Sequence, residues 1–169
     1  MGGYRQRTRF ARRYKGVETV TNTIDESVMP APVLDARPEI PGEDTSRVAM
    51  TASALDLLTR LRRIHGPLMF HQSGGCCDGS SPMCYPAGEF RTGDSDVLLG
   101  TFELPEDPEG TAGETPADRE IAFWMSREQF EYWKHTHLTL DVVDGRGSGF
   151  SVEAPEGKRF LIRSRLMES

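Results

Sequence analysis

Hydrophobic residues at helical spacing mark the clearest element of the chain. In MTASALDLLTRLRRIHGP, residues 50–67, apolar side chains recur every three or four positions and so share one face of a helix. They are Ala54, Leu57, Leu58, Leu61 and Ile64. Thr51 can cap the first turn and Gly66-Pro67 can end the last one. We predict an amphipathic helix that buries this face.

Short apolar or alternating runs in the rest of the chain predict β-strands. They are PLMFHQ (67–72), VLLGTF (97–102), EIAFWM (120–125), LTLDVV (138–143), GFSVEA (149–154) and KRFLIRSRL (158–166). We expect LTLDVV and GFSVEA to pair as a hairpin around a DGRG turn. A second, short helix is predicted in SREQFEYWKH, where Ser126 and Gln129 have capping-box spacing and Phe130 and Trp133 share a face.

The order of these elements predicts the fold class and the domain limits. A helix followed by short strands indicates an α+β fold with a small, mainly antiparallel β-sandwich and a flanking helix. Residues 1–47 include four prolines between Pro30 and Pro41 and few aromatics, so we expect an extended or disordered arm. Residues 48–169 then form a single domain. Residues 104–119, rich in Glu, Pro and Gly, are expected to be an exposed acidic loop insertion.

Charge is distributed unevenly along the chain. The net charge is −6, which is too acidic for a dedicated nucleic-acid-binding protein. The first fifteen residues nevertheless carry no acid and are rich in arginine. These candidate partner-binding residues are Arg5, Arg7, Arg9, Arg12 and Arg13. The arm is either a solvated charged tail or a segment that docks on an acidic partner surface.

Membrane and export signals are not recognised in the sequence. No run of about 18 apolar residues is present, so no transmembrane helix is expected. The basic N-terminus has no apolar stretch of the kind that a secretory signal needs. The odd number of cysteines, three, argues against a secreted disulfide framework. We therefore expect a cytoplasmic protein.

All three cysteines lie within one segment, HQSGGCCDGSSPMCY, from His71 to Tyr85. Thiolates bind soft metal ions such as zinc, copper or iron, and an imidazole can join them. The candidate metal or thiol site is therefore His71, Cys76, Cys77 and Cys84. Gly74, Gly75 and Gly79 give its backbone freedom. The H-x4-C-C-x6-C spacing differs from the C-x2-C knuckle of familiar zinc sites.

The same residues allow three other interpretations. Cys84 could exchange a disulfide with Cys76 or Cys77. One cysteine could be a nucleophile with a histidine as its base. The candidate bases are His71, His135 and His137, although we expect the last two to lie at a helix end, where the dipole favours histidine. The cysteines could also be buried as small hydrophobic residues.

The chain resembles a bacterial family of unknown function whose members are often encoded beside aldehyde dehydrogenases. The resemblance covers roughly residues 50–167 and rests on the cysteine segment and on GRGSGFSVEAPEG. The N-terminal arm and the acidic insertion look like additions to a shorter core. The resemblance implies a partner, an aldehyde dehydrogenase, more than a mechanism.

A more distant similarity is to the A-type iron–sulfur carriers, which have the HesB-like fold. It rests on the order of a helix, a strand, Gly74-Gly75-Cys76 and the later Gly147-Ser148-Gly149-Phe150 before Pro155. The similarity implies the same compact sandwich and places Cys76 at the first cluster cysteine of that family. The C-x-C pair of those carriers is absent, because this chain ends FLIRSRLMES.

These observations favour an accessory protein over an enzyme. Its cysteine loop would bind a soft metal ion or a thiol-reactive group, and it would act with an aldehyde dehydrogenase through the arm. The alternatives are a small thiol- or metal-dependent enzyme and a structural subunit with buried cysteines. Edge strands of a small sandwich often pair, so a homo-oligomer is equally compatible with the sequence.

Overall fold

The predicted long helix is present as α1, Ala52–His65, in a computed structural model that describes residues 30–75, 79–146 and 149–168. The Thr51 hydroxyl accepts a hydrogen bond from the Ala54 N–H at 3.3 Å, which confirms the cap. Ile64, expected on the buried face, is 68% exposed. The helix is rotated so that Arg62 is buried instead. No helix of the described part of the chain is long and apolar enough to cross a membrane.

Nine strands and a second helix complete the described elements. The strands are β1 (Pro32–Asp35), β2 (Arg37–Pro38), β3 (Val48–Thr51), β4 (Leu68–Gln72), β5 (Met83–Pro86), β6 (Asp96–Glu103), β7 (Glu120–Ser126), β8 (Thr136–Asp144) and β9 (Lys158–Leu166). Helix α2 is Arg127–Trp133 and is capped by Ser126, as the capping-box spacing predicts. Short 3₁₀ turns occur at Pro116–Arg119 and Ala154–Glu156.

The strands form two mixed, mostly antiparallel sheets. Sheet A has the order β1-β3-β8-β9 and sheet B the order β2-β6-β7-β4-β5. Only the β3–β8 and β4–β7 pairs are parallel among the described strands. Helix α1 connects β3 of sheet A to β4 of sheet B. The α+β class and the mainly antiparallel pairing are therefore confirmed.

The two sheets and α1 share one hydrophobic core. Phe70 of β4 stacks on Phe123 of β7 with ring centroids 5.6 Å apart. The edge of Phe160 in β9 meets Phe70 at 5.0 Å, so this contact joins sheet A to sheet B. All three rings are completely buried. Aromatic pairs in these geometries contribute about 0.5–1.5 kcal/mol beyond the burial of their surface.

The strand partner of β8 differs from the one expected. β8 pairs with β9 from Thr136↔Leu166 to Asp144↔Lys158, so the predicted hairpin with residues 149–154 is wrong. The described part of that segment is not a strand, because its polar groups are used elsewhere. The Ser151 hydroxyl and the Val152 N–H bind the backbone of Cys84 in β5. β5 itself is a four-residue strand that the hydrophobic pattern did not indicate.

The compact unit of the structure begins before residue 47, where the predicted arm was expected to end. This unit begins at Ala31, and β1 and β2 pair with β3 and β6. Both are edge strands, where a missing proline N–H is tolerated, which explains how Pro32 and Pro38 fit. The rest of the predicted arm, residues 1–29 with its arginines, lies outside the described residues.

The acidic connection 104–119 folds back on α1. Arg63 donates two hydrogen bonds to the Asp107 carboxylate, at 2.6 and 2.7 Å. Arg62 is bound by Glu114, and both side chains are largely buried. The connection is thus partly covered rather than fully exposed, because its acids neutralise the basic last turn of the helix.

Candidate functional site

The predicted cysteine site is divided between described and undescribed residues. Cys76 and Cys77 lie outside the described residues, as do Arg5, Arg7, Arg9, Arg12 and Arg13. Cys84, His71 and the glycines of the segment are described. The structure therefore locates two of the four candidate ligands and both ends of the loop that carries the other two.

His71 and Cys84 lie on opposite faces of sheet B. Cys84 in β5 is paired with Phe70 in β4, and both side chains belong to the hydrophobic core. His71 is the next residue along β4, so its side chain projects from the other face. The structure does not bring these two residues of the predicted four-residue set together. One ion cannot be bound by both side chains in this arrangement.

His71 has a partner of its own. Its Nε2 lies 2.7 Å from an Asp96 carboxylate oxygen, and its ring packs 4.2 Å from that of Phe90. Burial would raise the pKa of Asp96, but hydrogen bonds from His71 and from the Gly93 N–H outweigh it and hold the pKa below its ordinary value of 3.8. The pair joins β4 to the first residue of β6, across β7, on the outer face of sheet B. This is a structural role.

Cys84 is a buried thiol rather than a reactive one. Its side chain is fully enclosed in the core. Burial, with a smaller contribution from the nearby Glu153 carboxylate, raises the pKa of Cys84 well above its ordinary value of 9.0. Thiolates, not thiols, bind metals and attack electrophiles. The interpretation of a buried hydrophobic cysteine therefore fits Cys84.

Both ends of the loop around Cys76 and Cys77 are held by hydrogen bonds. At the first end, the indole N–H of buried Trp133 donates to the Gly75 carbonyl at 3.2 Å. Gly75 has φ of +90°, and a side chain there would collide with Ser80, so glycine is required. At the second end, the Gly79 N–H donates to the Ile162 carbonyl at 2.9 Å. The loop is thus attached to α2 at one end and to β9 at the other.

Each sheet supplies the segment that covers the edge of the other sheet. The connection between β4 and β5 of sheet B covers β9 through Gly79, and the Ser80 carbonyl accepts from Ile162 at 2.9 Å. The connection between β8 and β9 of sheet A covers β5, because the Val152 N–H donates to the Cys84 carbonyl at 3.1 Å. Covered edges resist unwanted pairing with another strand. The described residues that follow the cysteine pair, Gly79 and Ser80, therefore lie where the edges of both sheets are closed.

A buried carboxylic acid, Glu153, links the two covered edges. It accepts from the Ser151 hydroxyl, which itself accepts the Cys84 N–H at 2.9 Å. Its other oxygen lies 3.5 Å from the Phe160 nitrogen in β9. Glu153 is 1% exposed, and burial raises its pKa above the ordinary value of 4.5. Sequence reasoning missed this residue; its position between Val152 and Ala154, in an otherwise apolar run, was the available signal.

Comparison with known protein families gives one match. Residues 57–166, more than half of the chain, match the family described as a domain of unknown function, DUF779. The chain belongs to the DUF779 family. The DUF779 region includes the cysteine segment, the acidic connection and Glu153, and it begins within α1. No curated protein and no solved structure matched the chain.

Glu153 of this DUF779 protein should make its stability fall as the pH rises. The folded state holds the Glu153 proton more tightly than the unfolded chain does, so stability is lost from pH 4.5 upward through the raised pKa. Glu153→Gln removes this titration. As the pH rises, the wild type loses this stability and the variant does not. We therefore expect the difference in unfolding free energy, variant minus wild type, to grow by about 1.4 kcal/mol for each unit by which folding raises the pKa of Glu153. Urea unfolding over a pH series measures it.

Glu156→Gln is the matched control, because Glu156 is an exposed acid of the same segment. Its difference from wild type should not change in the same way with pH. Parallel pH profiles for wild type and Glu153→Gln would contradict a raised pKa at Glu153.

Proposed function

We propose that this protein is a cytoplasmic accessory protein rather than an enzyme. It binds a thiol-specific ligand through Cys76 and Cys77. The ligand is a soft metal ion or a thiol-reactive group. The observation that supports it best is the attachment of their loop at both ends, at Gly75 to Trp133 and at Gly79 to Ile162. Both contacts hold described residues that flank residues 76–78.

Pre-organisation is the physical reason that attached ends favour binding. A loop that is already restrained loses less conformational entropy when a ligand orders it. The Gln72 side chain also donates to the Gly74 carbonyl, inside the same loop. These contacts are made to the backbone carbonyls and N–H groups of described glycines, Gly74, Gly75 and Gly79.

A positive charge near the loop supports thiolate chemistry. The Arg159 guanidinium donates to the Gly79 carbonyl at 3.3 Å and to the Ser81 hydroxyl at 3.1 Å. A neighbouring cation lowers the pKa of a thiol and increases the fraction present as thiolate. Thiolates are ligands for zinc, copper and iron, which remain the candidate metals. Cys84, which is buried as a neutral thiol, and His71, which binds Asp96, are omitted from the proposed ligand set.

The proposed partner is an aldehyde dehydrogenase. This part rests on the resemblance to a family often encoded beside such enzymes, and on the composition of the N-terminal arm. The arginines of residues 5–13 would bind an acidic surface of the enzyme. A soft ligand bound at Cys76 and Cys77 could then reach or protect the reactive thiol of the dehydrogenase.

We also propose that the fold is HesB-like. In the structure, the segment that follows Gly147 and Ser148 covers β5 at Cys84, and the glycine-cysteine loop ends beside β9. The glycine-cysteine motif thus belongs to the β4–β5 connection, which covers the edge strand β9. The Gly147–Phe150 motif belongs to the β8–β9 connection, which covers the edge strand β5. Without a C-terminal C-x-C pair, the ligand set would differ from that of those carriers.

Metal analysis combined with thiol titration tests the proposal. Untagged protein purified without oxygen is analysed for metal content and by absorption, and is then titrated with a disulfide reagent. We expect either about one soft metal ion per chain or two rapidly reacting thiols and one slow one. Cys76→Ser with Cys77→Ser should remove the metal or the two rapid thiols.

Cys84→Ser is the matched control, because Cys84 is the buried cysteine of the same segment. If Cys84→Ser folds, it should keep the metal or the rapid thiols and lose only the slow one. Metal-free protein with three slowly reacting thiols would overturn the proposal. It would favour the structural-subunit alternative, for which only Cys84 now has supporting evidence.

A further inference from the structure

The outer face of sheet A has polar side chains of two kinds. Leu138 and Leu140 of β8 belong to the core, so the alternating residues His137, Thr139 and Asp141 project from the opposite face. Asp141 is fully engaged, by the Thr51 hydroxyl at 2.8 Å and by Arg163 Nε at 2.9 Å. His137 Nδ1 and the Thr139 hydroxyl are buried and have no hydrogen-bond partner among the described residues.

His137 lines a hollow of about 310 Å³ on this face. The side chain is 5% exposed, and it lies in β8 rather than at the helix end that the sequence suggested. The other lining residues are Asp35, Thr45, Ser46, Arg165, Met167 and Glu168. A buried polar atom without a partner is unfavourable. His137 is the buried polar residue that the hollow offers to a ligand.

Opposite charges line the hollow without neutralising each other. Arg165 in β9 lies directly across from His137, and Asp35 belongs to β1 at the other edge of the sheet. Three strand spacings, about 14 Å between backbones, separate them. Neither side chain has a salt bridge in the described part of the chain. The Arg165 cation and the Asp35 carboxylate therefore both line the hollow, together with a second carboxylate, Glu168.

The surroundings of the histidine between them favour its uncharged form. Burial and, to a smaller extent, the Arg165 charge lower the pKa of His137 below 6.5, and Asp35 opposes this only in part. A neutral imidazole offers one hydrogen-bond donor and one acceptor. The hollow thus combines one cation, Arg165, two carboxylates, Asp35 and Glu168, and the His137 imidazole, with the hydroxyls of Thr45 and Ser46 beside them.

We propose that this hollow binds a small zwitterion, such as a free amino acid or a very short peptide. The carboxylate of the ligand would pair with Arg165, its ammonium group with Asp35, and His137 would hydrogen-bond to the part between them. A simple anion would lie close to the unpaired Asp35 carboxylate, and a simple cation close to Arg165. The volume is at the lower end of the range for ligand pockets, about 300–1,000 Å³.

Nuclear magnetic resonance of the histidine rings in the ¹⁵N-labelled full chain tests the site. The probes are glycine and glycylglycine as zwitterions, N-acetylglycine as the anion and glycinamide as the cation. We expect a zwitterion to shift the His137 ring signals to saturation and to leave exposed His135 unchanged. The two singly charged analogues should bind at least about tenfold more weakly.

Charge variants of Arg165 and Asp35 complete the test. Arg165→Gln and Asp35→Asn should each weaken zwitterion binding by about tenfold or more. Arg146→Gln and Asp94→Asn, at exposed positions outside the hollow, are the matched controls and should bind as wild type. No shift of His137 with either zwitterion, equal binding of N-acetylglycine, or unchanged affinity in both the Arg165 and the Asp35 variant would overturn the proposal.

Discussion

Phe70→Ala is expected to lower the free energy of unfolding by about 3–5 kcal/mol. Phe70 is completely buried and contacts Phe123 in its own sheet and Phe160 in the other one. Truncation removes a cross-sheet contact and leaves a cavity next to Cys84, the neighbour of Phe70 in β5. Urea unfolding followed by circular dichroism measures the loss. It would be a large part of the roughly 5–15 kcal/mol that stabilises a typical domain.

Phe150→Ala is the matched control for this prediction. Phe150 is 89% exposed, so its truncation should change the unfolding free energy by less than about 0.5 kcal/mol. Similar losses for the two variants would show that the core does not join the sheets at Phe70. A loss below about 1.5 kcal/mol for Phe70→Ala would contradict the packing described here.

Deletion of residues 1–47 should lower the stability of the domain severely. Deletion of residues 1–29 is the comparison, because it retains every described strand. The longer deletion removes β1 and β2, exposes the edges of β3 and β6 and uncovers the core beside Ala36, Leu34 and Ile40. The lost apolar burial alone corresponds to about 3 kcal/mol or more. Thermal unfolding of both truncated proteins beside the full chain provides the measurement.

The same pair of deletions determines how the docking proposal must be tested. Loss of partner binding in a protein without residues 1–47 could result from unfolding. The 1–29 deletion removes the arginine-rich segment and keeps the two edge strands. We expect the full chain, but not the 1–29 deletion, to co-purify with the aldehyde dehydrogenase. Equal capture of both would contradict docking through the arm, and an equally stable 1–47 deletion would contradict the role of β1 and β2.

Local patterns predicted local structure well. The helical spacing of Leu57, Leu58 and Leu61 and the caps at Thr51 and Ser126 all occur in the structure. These features depend on residues within one or two turns of each other, so sequence alone carries the information. The GFSVEA segment was misassigned for the opposite reason. Its alternation resembles a strand, but its hydrogen bonds go to Cys84, which is distant in sequence.

The candidate site shows the same division. The clustering of the cysteines is visible in the sequence, but whether neighbouring ligands share a face depends on the strand to which each belongs. His71 and Cys84 were grouped by proximity in the chain, and strand alternation places them on opposite faces of sheet B. Glu153 and Asp35 were not identified, because a single acid in a sequence does not reveal what surrounds it.

The sequence by itself determined the two helices, the caps that start them, five of the nine described strands and the single segment that carries every thiol, because periodicity and capping act over short distances. Only the tertiary structure decided which strands became neighbours. That pairing buried Cys84 and Glu153, closed the edges on either side of the cysteine loop and brought Asp35, His137 and Arg165 around one hollow. The physical reason is that strands pair through backbone hydrogen bonds, which every sequence can form. Which strands pair therefore depends on how side chains pack in the whole core.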